Sequence, residues 1–271
     1  MNDLISAFIL GVVEGITEFL PISSTGHLIL TTQLLNKNQE SLASFNIIIQ
    51  LGAILAVLFL YKEQFVRLLN FKNIYPLELN DFHRPRHLNL VHIALSILPV
   101  LVIGFLTRKW IKTYLYNPNT VVASLIIVGI IMIIIEKIKP KAEVHSIDHL
   151  TYWDALIIGL AQVTALIPGV SRSGATMLMA MMRKIDVKIS ADFSFLISVP
   201  VIGLATIYEL LKSYQDFDLS MAYSLIIGLI TSFIVAIVAI KTFLRILKKL
   251  SLTPFAYYRI IFGLIYLRML I

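Results

Sequence analysis

The chain is written in long apolar blocks separated by short polar stretches. Runs rich in Leu, Ile and Val cover about 43–61, 88–108, 119–138, 190–211, 219–240 and 254–270, and most end near Lys, Arg or Pro. Each approaches the roughly 20 residues needed to cross about 30 Å of hydrocarbon, so the pattern predicts six transmembrane helices in an all-α, polytopic membrane protein. Two further apolar segments, about 3–35 and 153–183, differ. The first is interrupted by Pro21-Ile22-Ser23-Ser24-Thr25-Gly26 and the second by Pro168-Gly169-Val170-Ser171-Arg172-Ser173-Gly174. Irregular backbone at membrane depth is tolerated only where it is buried in protein or lines a polar cavity. Each segment is therefore expected to be a re-entrant helix–loop–helix pair.

The two interrupted segments match each other. At an offset of 148 residues Gly11 falls on Gly159, Glu14 on Gln162, Ile22 on Val170, Ser23 on Ser171 and Gly26 on Gly174. One broken pair followed by three spans occurs twice, giving pseudo-repeats of about 1–138 and 139–271 within a single membrane domain. Three is odd, so the second half is expected to enter the membrane inverted. Paired interrupted segments in two such halves point to a site near the midplane.

Composition agrees. The 271 residues are 58% hydrophobic and 14% charged, with no cysteine, and the mean hydropathy is +0.86. These figures exclude a soluble enzyme, a disordered chain and a disulfide scaffold. Thiolate nucleophiles and Cys-ligated metals go with the missing cysteines. The net charge of +7 reads as basic cytoplasmic loops facing anionic lipid rather than as nucleic-acid binding. The side with loops 62–87, 139–152, 183–189 and 241–253 holds 15 of the 23 Lys/Arg, counting Lys137 at the end of its span and with Lys72, Arg84 and Arg86 among them, against six on the other side. The basic side is taken as cytoplasmic, with both termini outside. The run Arg245–Lys249 reads as a lipid-facing anchor. The start, Met1-Asn2-Asp3, has no basic stretch and leads to Glu14 and Glu18, which reads as mature protein rather than a signal peptide.

Buried polar residues carry the candidate chemistry. Glu14 and Glu18 stand four apart in an apolar helix and share one face. Such a pair must share a proton, face water or meet a cation, and Mg²⁺ or Ca²⁺ suits two hard oxygen ligands. Ser23, Ser24, Thr25 and His27 follow Pro21, placing hydroxyls beside an imidazole as nucleophile and base, as donors to an anion, or as helix caps. In the second loop Gly169 and Gly174 permit close backbone approach. Ser171, Ser173 and Thr176 add donors, and Arg172 adds a planar fork at a helix N-terminus. That cluster suits a phosphate or diphosphate. Gln50, with Asn46 one turn before it, is expected to line the cavity. Arg259, beside Tyr257 and Tyr258 in the last span, reads as a helix-bundle contact.

The stretch from Gly11 to His27, GVVEGITEFLPISSTGH, and that from Pro168 to Thr176, PGVSRSGAT, closely resemble the undecaprenyl-diphosphate phosphatases of the bacitracin-resistance family. Gln50-Leu51-Gly52-Ala53 and the order of spans agree, so the likeness covers essentially the whole chain. The resemblance implies an enzyme of the bacterial plasma membrane that hydrolyses undecaprenyl diphosphate to the monophosphate and phosphate. That product is the lipid carrier for peptidoglycan. The resemblance also implies dependence on a divalent cation, with Glu14 and Glu18 as the acidic motif, Ser24 and His27 as the hydroxyl–imidazole motif, and Ser171, Arg172, Ser173 and Thr176 as the phosphate loop. An oligomer is compatible with it. The alternative from the residues is a lipid-phosphate transporter or flippase, since inverted repeats with broken helices are transporter anatomy.

Overall fold

The computed structural model describes residues 3–37, 39–69, 87–213 and 219–270. Helices dominate them, and among these residues the single β-bridge, Val144 with Ile185, stands alone. The first interrupted segment forms α1 (Asp3–Thr17) and α2 (Ser24–Leu34). It is followed by α3 (Gln39–Leu60), the short α4 (Lys62–Leu68), α5 (Leu90–Trp110) and α6 (Pro118–Ile138). The second forms α7 (Tyr152–Gln162), a 3₁₀ turn (Val163–Leu166) and α8 (Arg172–Met182), and is followed by α9 (Val187–Ser213), α10 (Leu219–Leu247) and α11 (Thr253–Leu270).

The helix boundaries have local causes. Asn89 caps α5, accepting from the Val91 amide, and Asn117 caps α6 ahead of Pro118 at its first position, the place where proline costs no hydrogen bond. Thr151 caps α7 and donates to Asp154 Oδ2 at 2.6 Å. Asp154 Oδ1 also accepts from Arg183 Nε at 2.8 Å, closing the α7–α8 hairpin at its base.

Among the described residues four helices are long and apolar enough to cross a membrane: Leu90–Leu115, Pro118–Ile138, Val187–Lys212 and Ala222–Leu247. Two of the six expected spans differ from that standard. The segment Ser44–Leu60 reaches it only together with Lys62–Leu68, from which it is bent by 81°; a plain loop was expected from residue 62. The apolar run of α11 is diluted by Tyr257, Tyr258, Arg259, Tyr266 and Arg268. Helix α10 also runs to Leu247, taking Lys241 and Arg245 out of the expected loop. Lys72, Arg84 and Arg86 lie outside the described residues. The outer faces are apolar, with Phe105 73% and Leu106 74% exposed, as a lipid-facing surface requires.

Small residues set the tightest packing. A Cβ on Gly11 would lie 2.7 Å from the Gly228 carbonyl oxygen of α10, and one on Gly15 2.7 Å from that of Ser232. The Gly-xxx-Gly face of α1 thus lets two backbones meet where no hydrophobic effect drives association in lipid. Gly159 of α7 meets α5 in the same way, its Cβ falling 2.6 Å from the Ser96 carbonyl oxygen.

The 148-residue offset recurs in the geometry. Among the described residues the non-glycine ones with positive φ are Ser23 (73°), Asn36 (53°), Ser171 (77°) and Lys184 (64°), which form two pairs at that spacing. Helices α2 and α8 begin and end at it. Tyr61 donates to Asp192 Oδ1 at 2.6 Å, and Ser44 donates to Glu209 Oε1 at 3.2 Å; adding 148 to 44 and to 61 gives 192 and 209. The two contacts between α3 and α9 are images of each other.

Candidate active site

In both broken segments the break ends in a serine forced into the left-handed region. Ser23 (φ 73°, ψ 95°) caps α2, its Oγ accepting from the Gly26 amide at 3.4 Å. Ser171 (φ 77°, ψ 118°) caps α8 and accepts from the Gly174 amide at 3.1 Å. For a residue with a Cβ this costs of order 1–3 kcal/mol and survives only where the surroundings over-determine it. The result is two helix N-termini turned toward one cavity of about 200 Å³, walled by Ser23, Ser24 and Thr25 from one side and Gly169, Ser171 and Arg172 from the other. Amide N–H groups and the positive dipole ends make such a place favourable for an anion.

Glu18 links the two halves. Its Oε2 accepts from Ser24 Oγ at 2.6 Å and its Oε1 from Arg172 Nη2 at 3.2 Å. Arg172 is held further by the Ser194 carbonyl at 2.8 Å and lies over the Phe19 ring, 6.0 Å from its centroid. Thr176 Oγ1 meets Ser194 Oγ at 2.7 Å, and Ser173 Oγ donates to the Leu20 carbonyl at 2.9 Å, tying the loops directly. Glu14 lies behind, fully buried beside Glu18 with no hydrogen-bond partner on either oxygen.

Of the residues expected at the site, Glu18, Ser23, Ser24, Thr25, Gln50, Gly169, Ser171 and Arg172 line the cavity. Ser173, Gly174 and Thr176 stand one layer back and support Ser171 and Arg172. His27 is not brought to the Ser24 hydroxyl. Its Nδ1 lies 2.8 Å from the Ser23 carbonyl oxygen, its Nε2 2.7 Å from Tyr258 Oη, and its ring stacks on Phe262 at 4.2 Å. Both ring nitrogens are engaged, and the partner of Ser24 is a carboxylate.

Three residues of the site were not read from the sequence as such. Ser194 was within reach, because it is the repeat partner of Asn46, the polar residue noted one turn before Gln50. Tyr258 had no comparable signal. Arg259, read as a bundle contact, does join helices, but at the two loops: it donates to the carbonyls of Pro21, Gly169 and Val170, at 3.0, 2.7 and 2.9 Å.

Among the described residues no three His, Cys, Asp or Glu side chains converge, and the carboxylates these residues offer a divalent cation at the site are those of Glu14 and Glu18. That number suits Mg²⁺, which is commonly held by one or two carboxylates plus substrate phosphates. The partnerless oxygens of Glu14 are the donors such an ion would satisfy.

These features define a class: a helical, multi-pass membrane protein whose buried carboxylates, serine and arginine surround an anion-sized cavity between two helix N-termini. The comparisons narrow it. The family described as bacitracin resistance protein BacA matches residues 7–265. "Undecaprenyl-diphosphatase 1" of Bacillus thuringiensis subsp. konkukian (strain 97-27) is 46% identical over 266 residues, covering 98% of each chain. The protein of that name from Bacillus anthracis is equally similar. "Undecaprenyl-diphosphatase" of Staphylococcus aureus (strain Newman) is 39% identical over 269 residues, 96% of this chain and 92% of that one. The chain belongs to the BacA family.

Proposed function

We propose that this protein is an undecaprenyl-diphosphatase. It hydrolyses undecaprenyl diphosphate to undecaprenyl phosphate and inorganic phosphate, the activity in its relatives' names. The reaction recycles the lipid carrier of peptidoglycan synthesis and confers bacitracin resistance. The observation that carries the reading to this chain is the Ser24–Glu18–Arg172 array at the junction of two helix N-termini.

In the mechanism we infer, the diphosphate head enters the cavity while its prenyl chain stays among apolar side chains. Arg172 and the first-turn amides of α2 and α8 hold its oxygens. Ser24 Oγ attacks the terminal phosphorus as its proton passes to Glu18 Oε2, the P–O bond to the bridging oxygen breaks, and undecaprenyl phosphate leaves. Water then attacks the phosphoserine, Glu18 returns its proton to Ser24 Oγ as the serine P–O bond breaks, and phosphate leaves with both water protons, so that Glu18 is a carboxylate again. Phosphoryl transfer depends mainly on positioning and charge stabilisation, which these groups supply. A divalent ion held by Glu14 and Glu18 would neutralise charge on the diphosphate. His27 acts by holding the Ser23 carbonyl and, through Tyr258, fixing α2 against α11.

We further read the chain as one membrane domain of two inverted repeats, 1–138 and 139–271, with six spans and two re-entrant pairs. The paired left-handed residues and the matched α3–α9 contacts support this. The charge asymmetry supports outward termini in the bacterial plasma membrane. Transport of a lipid phosphate has no relative's name behind it and does not require a serine hydroxyl bonded to a carboxylate. The test is product analysis: purified protein given undecaprenyl diphosphate should yield equal amounts of undecaprenyl phosphate and phosphate, and unchanged lipid would refute the reading.

A further inference from the structure

Arg259 is fully buried on α11 and forms no ion pair among the described residues. Its guanidinium instead faces five backbone carbonyls. Nη1 donates to Pro21 at 3.0 Å and Val170 at 2.9 Å; Nη2 donates to Gly169 at 2.7 Å and Ser124 at 3.4 Å; Nε reaches Leu125 at 3.5 Å. Ser124 and Leu125 belong to α6, the helix packed along α11. The other three carbonyls belong to the two broken loops, one or two residues before the left-handed serines. Pro21 lies two residues before Ser23, and Gly169 and Val170 lie directly before Ser171.

We propose that Arg259 is the positioning residue of the site, a buried clamp that holds both loops by their carbonyls so that Ser24 and Arg172 address one cavity. A trans peptide sets C=O and the following N–H in opposite directions, so the Val170 carbonyl aimed at Arg259 leaves the Ser171 amide pointing away from it, and Ser171 lines the cavity. A carbonyl turned the other way would present negative charge to a diphosphate. The clamp also supplies the over-determination that left-handed serines require. One rigid, planar donor fork serves loops 148 residues apart in the chain, which an ammonium cannot do with the same geometry. Neighbouring Tyr258 holds His27 at the start of α2, so α11 grips the site through consecutive residues.

This inference rests on the diphosphatase reading, and the test separates the two. Full-length wild type, Arg259→Lys and Arg259→Met are purified in detergent. Phosphate release from undecaprenyl diphosphate gives kcat and KM per folded molecule, and the thermal midpoint is recorded with and without inorganic pyrophosphate. Displacement of a reacting group by about 1 Å costs on the order of 100-fold. Arg259→Met is therefore expected to lose about that factor in kcat with a smaller change in KM, and to lose the stabilisation that pyrophosphate gives wild type; Arg259→Lys should fall between. If Arg259→Met does not fold, Arg259→Lys decides, a reduced kcat in folded protein supporting the clamp and wild-type kcat overturning it. Wild-type kcat and pyrophosphate response in folded Arg259→Met would overturn it too, as would a loss confined to the thermal midpoint. Absence of phosphate release from wild type would count against the diphosphatase reading, and the pyrophosphate response would still judge the clamp.

Discussion

Replacing Glu18 by Gln removes a base while keeping its shape. The carboxylate accepts from Ser24 at 2.6 Å and from Arg172 at 3.2 Å; an amide keeps one accepting oxygen for Arg172, turns an N–H toward Ser24 and cannot take the serine proton. General-base catalysis contributes about 10²–10⁴-fold, and at about 1.4 kcal/mol per decade this is roughly 3–5 kcal/mol of barrier. Stability suffers less. Removing one partner of a buried ion pair costs about 3–5 kcal/mol when the other is left alone, but the Ser194 carbonyl still accepts from the guanidinium at 2.8 Å and the Gln oxygen can accept in place of the carboxylate, so the cost should fall below about 3 kcal/mol and the variant should fold. Single-turnover phosphate release, normalised to folded protein by thermal midpoint, measures both effects. The companion variant His27→Gln should lose less, because His27 bonds Ser23 and Tyr258 rather than Ser24. Glu18→Gln within a few-fold of wild type, or His27→Gln falling further than Glu18→Gln, would refute the assignment of Glu18 as base.

Acid quenching during turnover should trap labelled phosphate on Ser24, and Ser24→Ala should abolish both label and release; turnover without label would mean direct attack by water. Removal of divalent ions with EDTA should stop phosphate release and Mg²⁺ or Ca²⁺ restore it, while Glu14→Gln should raise the ion concentration needed; full activity in EDTA would exclude the ion. Gly15→Leu places a Cβ 2.7 Å from the Ser232 carbonyl oxygen, and overpacking of this kind costs about 1–3 kcal/mol. Its thermal midpoint should drop, and an unchanged midpoint would contradict the close α1–α10 approach.

Most helices were legible because period and length suffice for apolar segments: the ends of α5, α6 and α11 fall within about two residues of the runs that predict them. The two broken segments were legible for the opposite reason, since Pro, Gly and Ser inside an apolar run mark a place where the helix must break and its backbone be satisfied by other groups. The turn into α4 was not, because Tyr61-Lys62 contains neither proline nor glycine. At the site, Glu18, Ser24 and Arg172 stood out as polar residues in apolar surroundings, and the structure brings them together. Which partner Ser24 uses was not legible. His27 lies nearer in sequence, but the turn at Ser23 sends its ring toward α11 and returns the hydroxyl to Glu18. Arg259 looked like a bundle contact because its acceptors are backbone carbonyls, which leave no mark in side-chain identity.

If diphosphate is cleaved in the cavity where Ser24 and Arg172 meet, loss of the Arg172 guanidinium must stop the reaction. Steady-state phosphate release from undecaprenyl diphosphate by purified protein with Mg²⁺ or Ca²⁺ tests it most directly, run beside Arg172→Ala. Wild type should release phosphate, and folded Arg172→Ala should lose that release by about 10²-fold or more. No release from folded wild type with either ion, or equal release from Arg172→Ala, would contradict it.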